Sequence, residues 1–179
     1  NHGIFVDYKG FVLIGGNGGP DSELLKFTKD GKFVMQVGKK GARRSATAAA
    51  GTGEGQVAGF AGGSNDPLNF GRVAKIWVDQ QANEAYIADG YLNKRVAALD
   101  PDTGKMKRWW GAYGNKPDDT PLGAYDENQP HAQQFRNPVH CADMSVDRLV
   151  YVCDRVNDRM QVFTPEGKFV KEMYYKIKT

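Results

Sequence analysis

Cysteine is scarce. Only Cys141 and Cys153 occur in 179 residues, which excludes a disulfide-framework fold and a zinc knuckle. Long apolar runs are missing, and none approaches the ~20 residues that cross a bilayer. A charge excess is also missing. With 24 basic and 21 acidic residues the net charge is +3, too even for the concentrated basic face that nucleic-acid binding needs. The one basic cluster, Lys39, Lys40, Arg43 and Arg44, adjoins a Gly/Ala-rich stretch and reads as a solvated loop, not a phosphate clamp. No charged-then-apolar leader follows Asn1, so no signal peptide is expected in the sequence as it stands. The glycine-rich stretches 15–19 (Gly-Gly-Asn-Gly-Gly) and 51–55 (Gly-Thr-Gly-Glu-Gly) lack the Lys-Ser/Thr of a phosphate loop, and they read as wide turns.

What the chain does contain favours β structure. Hydrophobic residues make up 40% and aromatics 11%, ordinary values for a globular domain, while 22 glycines and 8 prolines favour short strands and turns. Internal similarity is the strongest signal. Residues 2–14, 74–89 and 140–154 each spell an apolar run, a polar turn with Asp (Asp7, Asp79, Asp147) and a second apolar run. Third strands follow at 24–27, 95–99 and 159–163, then turns at 28–31, 100–104 and 164–167 that end in Gly, then fourth strands at 33–37, 106–110 and 169–173. Period-two alternation makes each unit an antiparallel meander, and the terminal glycines supply positive φ. A four-stranded meander in tandem is the blade of a β-propeller.

The expected architecture is all-β: three blades at about 1–38, 72–111 and 136–175, with long loops at 39–71 and 112–135. Propellers close with roughly four to eight blades. Three blades therefore imply further blades or a second copy, and two copies would make a six-bladed ring. The first loop reads as low-complexity, poorly ordered or wrapped over one face. The second, with Tyr113, Tyr125 and Phe135, reads as ordered, in the manner of a lid.

Candidate chemistry comes from repeat positions. His2 and His140 both stand at the mouth of an innermost strand, and such positions converge on the central channel of a propeller. Imidazole is a common ligand of zinc and other divalent ions, so the pair is a candidate metal site whose third ligand must come from another blade or a carboxylate. His131, in a Gln/Pro-rich loop, reads as an exposed side chain. Asp89, Asn93 and Arg95 recur as Asp154, Asn157 and Arg159, a turn in which Asp and Asn satisfy backbone amides while Arg packs across the blade interface. Tyr91 and Arg155 lie in the same two turns without that structural duty, which makes them the better candidates for chemistry. Trp77, Trp109 and Trp110 are expected to fill the space between blades. Cys141 and Cys153 fall on paired strands, where a cross-strand disulfide and buried free thiols both remain open, since register decides.

These blades resemble the NHL-repeat family. The residues that carry the resemblance are 87–95 (Ile-Ala-Asp-Gly-Tyr-Leu-Asn-Lys-Arg) and 152–163 (Val-Cys-Asp-Arg-Val-Asn-Asp-Arg-Met-Gln-Val-Phe). A narrower resemblance is to the peptidyl-α-hydroxyglycine α-amidating lyases, which carry Pro-His-Gly, Asp-Gly-Tyr-Cys-Asn-Ser-Arg and Pro-His…Ala-Asp-Arg in three successive blades of a six-bladed propeller. This chain offers Asn1-His2-Gly3, then Asp89-Gly90-Tyr91-Leu92-Asn93-Lys94-Arg95, then Val139-His140 with Cys153-Asp154-Arg155. Leu92 replaces a family cysteine, and Asn1 and Val139 replace prolines. The resemblance implies His2 and His140 as zinc ligands, Tyr91 as the catalytic phenol and Arg155 as the charge-stabilising group. It also implies calcium as a second metal, a third His in a blade beyond Thr179, and an extracellular or periplasmic location. A non-catalytic scaffold that binds a peptide or protein on one face, and a purely structural array, are the rival readings.

Overall fold

The computed structural model describes residues 2–42 and 63–175. The expectations for Asn1, Arg43, Arg44 and the stretch 46–55 concern residues outside that set. Twelve strands are present in chain order, with no α-helix among the described residues. They are β1 (Gly3–Val6), β2 (Val12–Gly15), β3 (Glu23–Phe27), β4 (Phe33–Gly38), β5 (Val73–Asp79), β6 (Glu84–Asp89), β7 (Arg95–Leu99), β8 (Met106–Trp110), β9 (Val139–Met144), β10 (Val150–Asp154), β11 (Arg159–Phe163) and β12 (Phe169–Tyr174). They form three four-stranded antiparallel meanders, β1 to β4, β5 to β8 and β9 to β12. The propeller architecture is thus present as three blades.

The repeat extends to fine detail. Between its third and fourth strands, each blade shifts register at the same place, Lys26/Phe27, Ala98/Leu99 and Val162/Phe163. The turn that follows closes on Gly31, Gly104 and Gly167, with φ of 84°, 72° and 86°. That left-handed backbone is open to glycine at no steric cost. The register shift and the positive-φ glycine thus recur together in all three blades.

The core lies between blades and not within any one of them. Leu13 and Leu24 of the first blade pack on Ile76, Val78, Ala85, Ile87, Ala97 and Leu99 of the second. The other face of the second blade, Ala74, Tyr86, Ala88, Val96 and Ala98, packs on Val139, Ala142, Val150, Val152 and Phe163 of the third. Strict alternation along β6 and β7 sends neighbouring residues to opposite faces. The tryptophans fill these interfaces: Trp77 stands between Phe5 and Tyr86, Trp110 meets Phe163, and the Arg95 guanidinium lies over Trp109. Innermost strands β1, β5 and β9 pack in succession, so the first residues of each blade meet around one axis. No helix among the described residues is long and apolar enough to cross a membrane.

Loops and cysteines complete the frame. Of the first long loop, residues 63–71 are pinned to the second blade by Arg95, which donates to the carbonyls of Ser64, Asp66 and Asn69. The second loop is tied down where it crosses the same end of the sheets. Asn65 donates to the Pro117 carbonyl, Ser64 to the Asp119 carboxylate and Lys94 Nζ to the Thr120 carbonyl. His131 is exposed, as expected, yet it also stacks on Tyr174 with ring centroids 3.8 Å apart. Cys141 and Cys153 stand directly opposite in the β9/β10 register and form a disulfide, which settles the alternative left open above.

Candidate active site

Two buried triads set the turns that carry the candidate residues. In the second blade, the Asp89 carboxylate accepts from the Gly71 amide at 2.6 Å, the Asn93 side chain at 2.8 Å and Arg95 Nε at 2.8 Å. In the third, Asp154 accepts from the Arg136 amide at 2.9 Å, the Asn157 side chain at 2.7 Å and Arg159 Nε at 2.8 Å. Each arginine also donates to the incoming loop, Arg95 to Asn69 O and Arg159 to Gln134 O. One carboxylate therefore joins the end of β6 or β10 to the segment that enters the innermost strand of its blade. The two Asp carboxylates satisfy backbone amides as expected, whereas Asn93 and Asn157 donate to those carboxylates and each Arg ties its Asp to the incoming loop of its own blade.

Tyr91 sits in the turn after Asp89, and its side chain points at the axis. Its hydroxyl lies 2.9 Å from His2 Nε2 and 3.2 Å from His140 Nε2. The His2 and His140 ring centroids are 5.1 Å apart in an edge-on arrangement. His2 Nδ1 lies 2.8 Å from the Ala74 carbonyl, which can only accept, so Nδ1 carries the proton and Nε2 presents its lone pair to the phenol. The arrangement that satisfies every contact runs in one direction: His140 Nε2–H donates to the Tyr91 oxygen, and Tyr91 O–H donates to His2 Nε2. Ala74 occupies in the second blade the repeat position that His2 and His140 hold in theirs.

The electrostatics of the site act on His140. Burial lowers the His140 pKa, and the positive charges of Arg155, His2 and Lys75 push in the same direction. Arg155 opens the short 3-10 turn Arg155–Asn157, is exposed, and makes no side-chain hydrogen bond among the described residues. It is close enough to act on His140 and free to meet a ligand. His2, Tyr91 and His140 thus come together, with Arg155 near enough to act on the charge of His140.

The donor chemistry suits part of a zinc site. His2 has its tautomer fixed by a backbone carbonyl and aims its Nε2 at the Tyr91 oxygen, and His140 aims its Nε2 at the same point, where it would bind a metal in the tautomer with the proton on Nδ1. Among the described residues no group of three or more His, Cys, Asp and Glu stands together, so a third protein ligand must be supplied from elsewhere. Beside the site lies a cavity of about 380 Å³ lined by Leu92, Lys94, Pro121, Leu122, Arg136 and Val156, among others. Sequence reading missed the Ala74 carbonyl, because backbone groups carry no sequence signal. It also passed over Asn137, whose only hint was its place before Pro138 at the entry to β9.

No protein-family model matches the chain. Among curated proteins, peptidyl-glycine alpha-amidating monooxygenase B of Xenopus laevis is 30% identical over 113 residues, covering 63% of this chain and 12% of that protein. The A form from the same species is 33% identical over 114 residues, covering 63% of this chain and 11% of that protein. The chain therefore spans only a small part of the length of these relatives. Among solved structures, virginiamycin B lyase from Staphylococcus aureus superposes over 97% of this chain and 41% of its own, with a TM-score of 0.53 at 13% identity. A protein from Lactobacillus plantarum does so over the same shares, with a TM-score of 0.55 at 10% identity. At such identities these two likenesses speak to the fold alone. With the three four-stranded sheets, they place the chain among the β-propeller proteins.

Proposed function

We propose that this chain contributes to the catalytic propeller of a metal-dependent lyase that cleaves the C–N bond of a peptidyl carbinolamide. The observation that carries the reading is the Tyr91 hydroxyl held between His2 Nε2 and His140 Nε2, at 2.9 Å and 3.2 Å. Similarity to the two amidating proteins over part of the chain supports it. His2 and His140 would hold zinc, which when bound supplies Lewis-acid polarisation of a substrate oxygen. For calcium, the other metal of the resemblance, no cluster of three or more His, Cys, Asp and Glu side chains stands among the described residues.

The chain's own groups account for the proton transfers. Tyr91, as the phenolate, takes the proton from the substrate hydroxyl. The oxygen's electron pair closes to a carbonyl, the C–N bond breaks, and its electrons go to the amide nitrogen. Tyr91 returns the proton to that nitrogen, so the products are a peptide amide and an aldehyde. Arg155 stabilises the negative charge that develops. The Cys141–Cys153 bridge, a bond that persists in oxidising compartments, supports an extracellular or periplasmic location.

Zinc content and turnover test the reading together. Tyr91→Phe is expected to keep zinc and the fold while kcat falls by about 10²- to 10⁴-fold, the usual worth of general acid–base catalysis. His140→Ala is expected to lose zinc. Full turnover in the first variant, or undiminished zinc in the second, sinks the proposal. One observation favours a second reading, a non-catalytic scaffold: the nearby cavity sets the apolar side chains of Leu92, Pro121, Leu122 and Val156 beside the polar Lys94, Asp119, Arg136 and Asn137, a mixed wall suited to a peptide. On that reading both variants bind peptide as the parent does, and neither the variants nor the parent turns it over.

A further inference from the structure

The Tyr91 turn is held from two sides. On one side, the Tyr91 amide donates to Arg72 O at 3.2 Å and the Leu92 amide to Gly71 O at 2.8 Å. On the other, a single side chain from the third blade closes it. Asn137 Nδ2 donates to Gly90 O at 2.8 Å and to Asn93 O at 2.8 Å. Those carbonyls stand at the two ends of the turn whose middle is Tyr91-Leu92. Both partners are acceptors, so only the NH₂ of the amide can face them, and both of its hydrogens are committed to this one turn. Gly90 meanwhile lies against Val139, the neighbour of His140, so closely that a Cβ there would meet Val139 O at 2.0 Å. The turn that carries the phenol is thus seated on the entry to the strand that carries the imidazole.

We propose that Asn137 is a positioning residue. Its amide clamps the Tyr91 turn of one blade to the His140 strand of the next and so sets the phenol oxygen between the two imidazoles. The proposal rests on the reading of Tyr91 as the proton-transfer residue. Asn137 is not in hydrogen-bond contact with Tyr91's hydroxyl, His2 or His140, so its effect passes through the backbone carbonyls of Gly90 and Asn93. A misplacement of about 1 Å at a reacting group can cost about 100-fold in rate.

The test uses Asn137→Ala and Asn137→Ser in the whole chain. The readouts are ring-to-ring nuclear Overhauser contacts from Tyr91 to His2 and His140, zinc content, melting temperature, and kcat against KM on a small carbinolamide. In the Ala variant, the contacts between Tyr91 and both imidazoles are expected to disappear while zinc content holds. In the same variant kcat is expected to drop by about 100-fold with KM little changed. Serine, which keeps one donor, is expected to fall between. A merely structural amide would lower the melting temperature and leave ring contacts and the kcat of the folded protein intact, and that result overturns the proposal. Should the Ala variant not fold, the Ser variant decides by the same ring contacts. Should the parent turn over no carbinolamide, the ring contacts decide alone. Their loss then supports the clamp while the lyase reading falls, and their survival removes the clamp.

Discussion

A single arginine in each of two blades shows how much one side chain can organise. Arg159 and Asp154 are fully buried as a pair, with side-chain exposures of 0% and 0%. Burial pushes the Asp154 carboxyl above its ordinary range, and the charge of Arg159 with the bonds from Asn157 and the Arg136 amide works against that rise. Removing one partner strands the other in a dry site. Arg159→Met is therefore expected to cost about 3–5 kcal/mol, read from urea denaturation, and Asp154→Asn placed in the same chain is expected to restore part of it. An equal loss in the single and double variants would show that the pair is not the source. This motif was legible in the sequence because Asp, Asn and Arg recur at matched turns. Tyr91 and Arg155 stood out for the complementary reason, being polar side chains in those turns without a matching structural partner. Asn137 did not stand out, because one asparagine before a proline looks like any other turn residue until its two acceptors are seen.

Between elements, register decides what sequence cannot. Cys141 and Cys153 sit opposite each other in the β9/β10 pairing, and a slip of one residue would have sent one thiol to the other face. The bond staples the strand that carries His140 to the strand that ends at Asp154, next to Arg155. Its removal by Cys141→Ser with Cys153→Ser is expected to lower unfolding stability by about 2–4 kcal/mol, measured by denaturant at fixed pH. Glu84, on β6, joins a second kind of tie. It pairs with Arg108 on β8, which also donates through Nε to Pro165 O of the third blade at 2.9 Å. The Arg108 guanidinium beside Glu84 holds its carboxyl down from 4.5 to about 2. A carboxylate lowered on folding gives stability that is complete above its unfolded value and lost as pH falls through its folded one. The melting temperature is thus expected to decline between about pH 4.5 and pH 2, and Glu84→Gln is expected to flatten that decline. A pH profile unchanged by the substitution would remove Glu84 from the account.

Across the whole molecule, burial is uneven in a way that bears on assembly. Every residue of β7 and all but the first of β6 are buried, because the middle blade has a neighbour on each face. The outer blades have one neighbour each, and their strands bury alternate residues, as in β3 and β10. The exposed large apolar side chains follow the same division. Ile4, Val6, Phe33 and Val34 belong to the first blade and Val170 and Met173 to the third, while strands β5 to β8 contribute none. Sequence alone anticipated three wedges and an incomplete circle, since blade number follows from counting repeats. It could not say which residues the missing neighbours would cover, because alternation does not tell an inner face from an end face. Two open apolar faces on one small array are the arrangement that association relieves. The proposed ring therefore makes a concrete demand on the chain by itself: it should sediment above the mass of one copy, increasingly so with concentration. Val6→Lys and Met173→Lys, one on each outer blade, should return it to a monomer with its near-ultraviolet dichroism intact. A chain that stays monomeric at every concentration, with no gain in dye binding over the charged variants, would mean that these faces tolerate water and that the ring is not formed by pairing of this array.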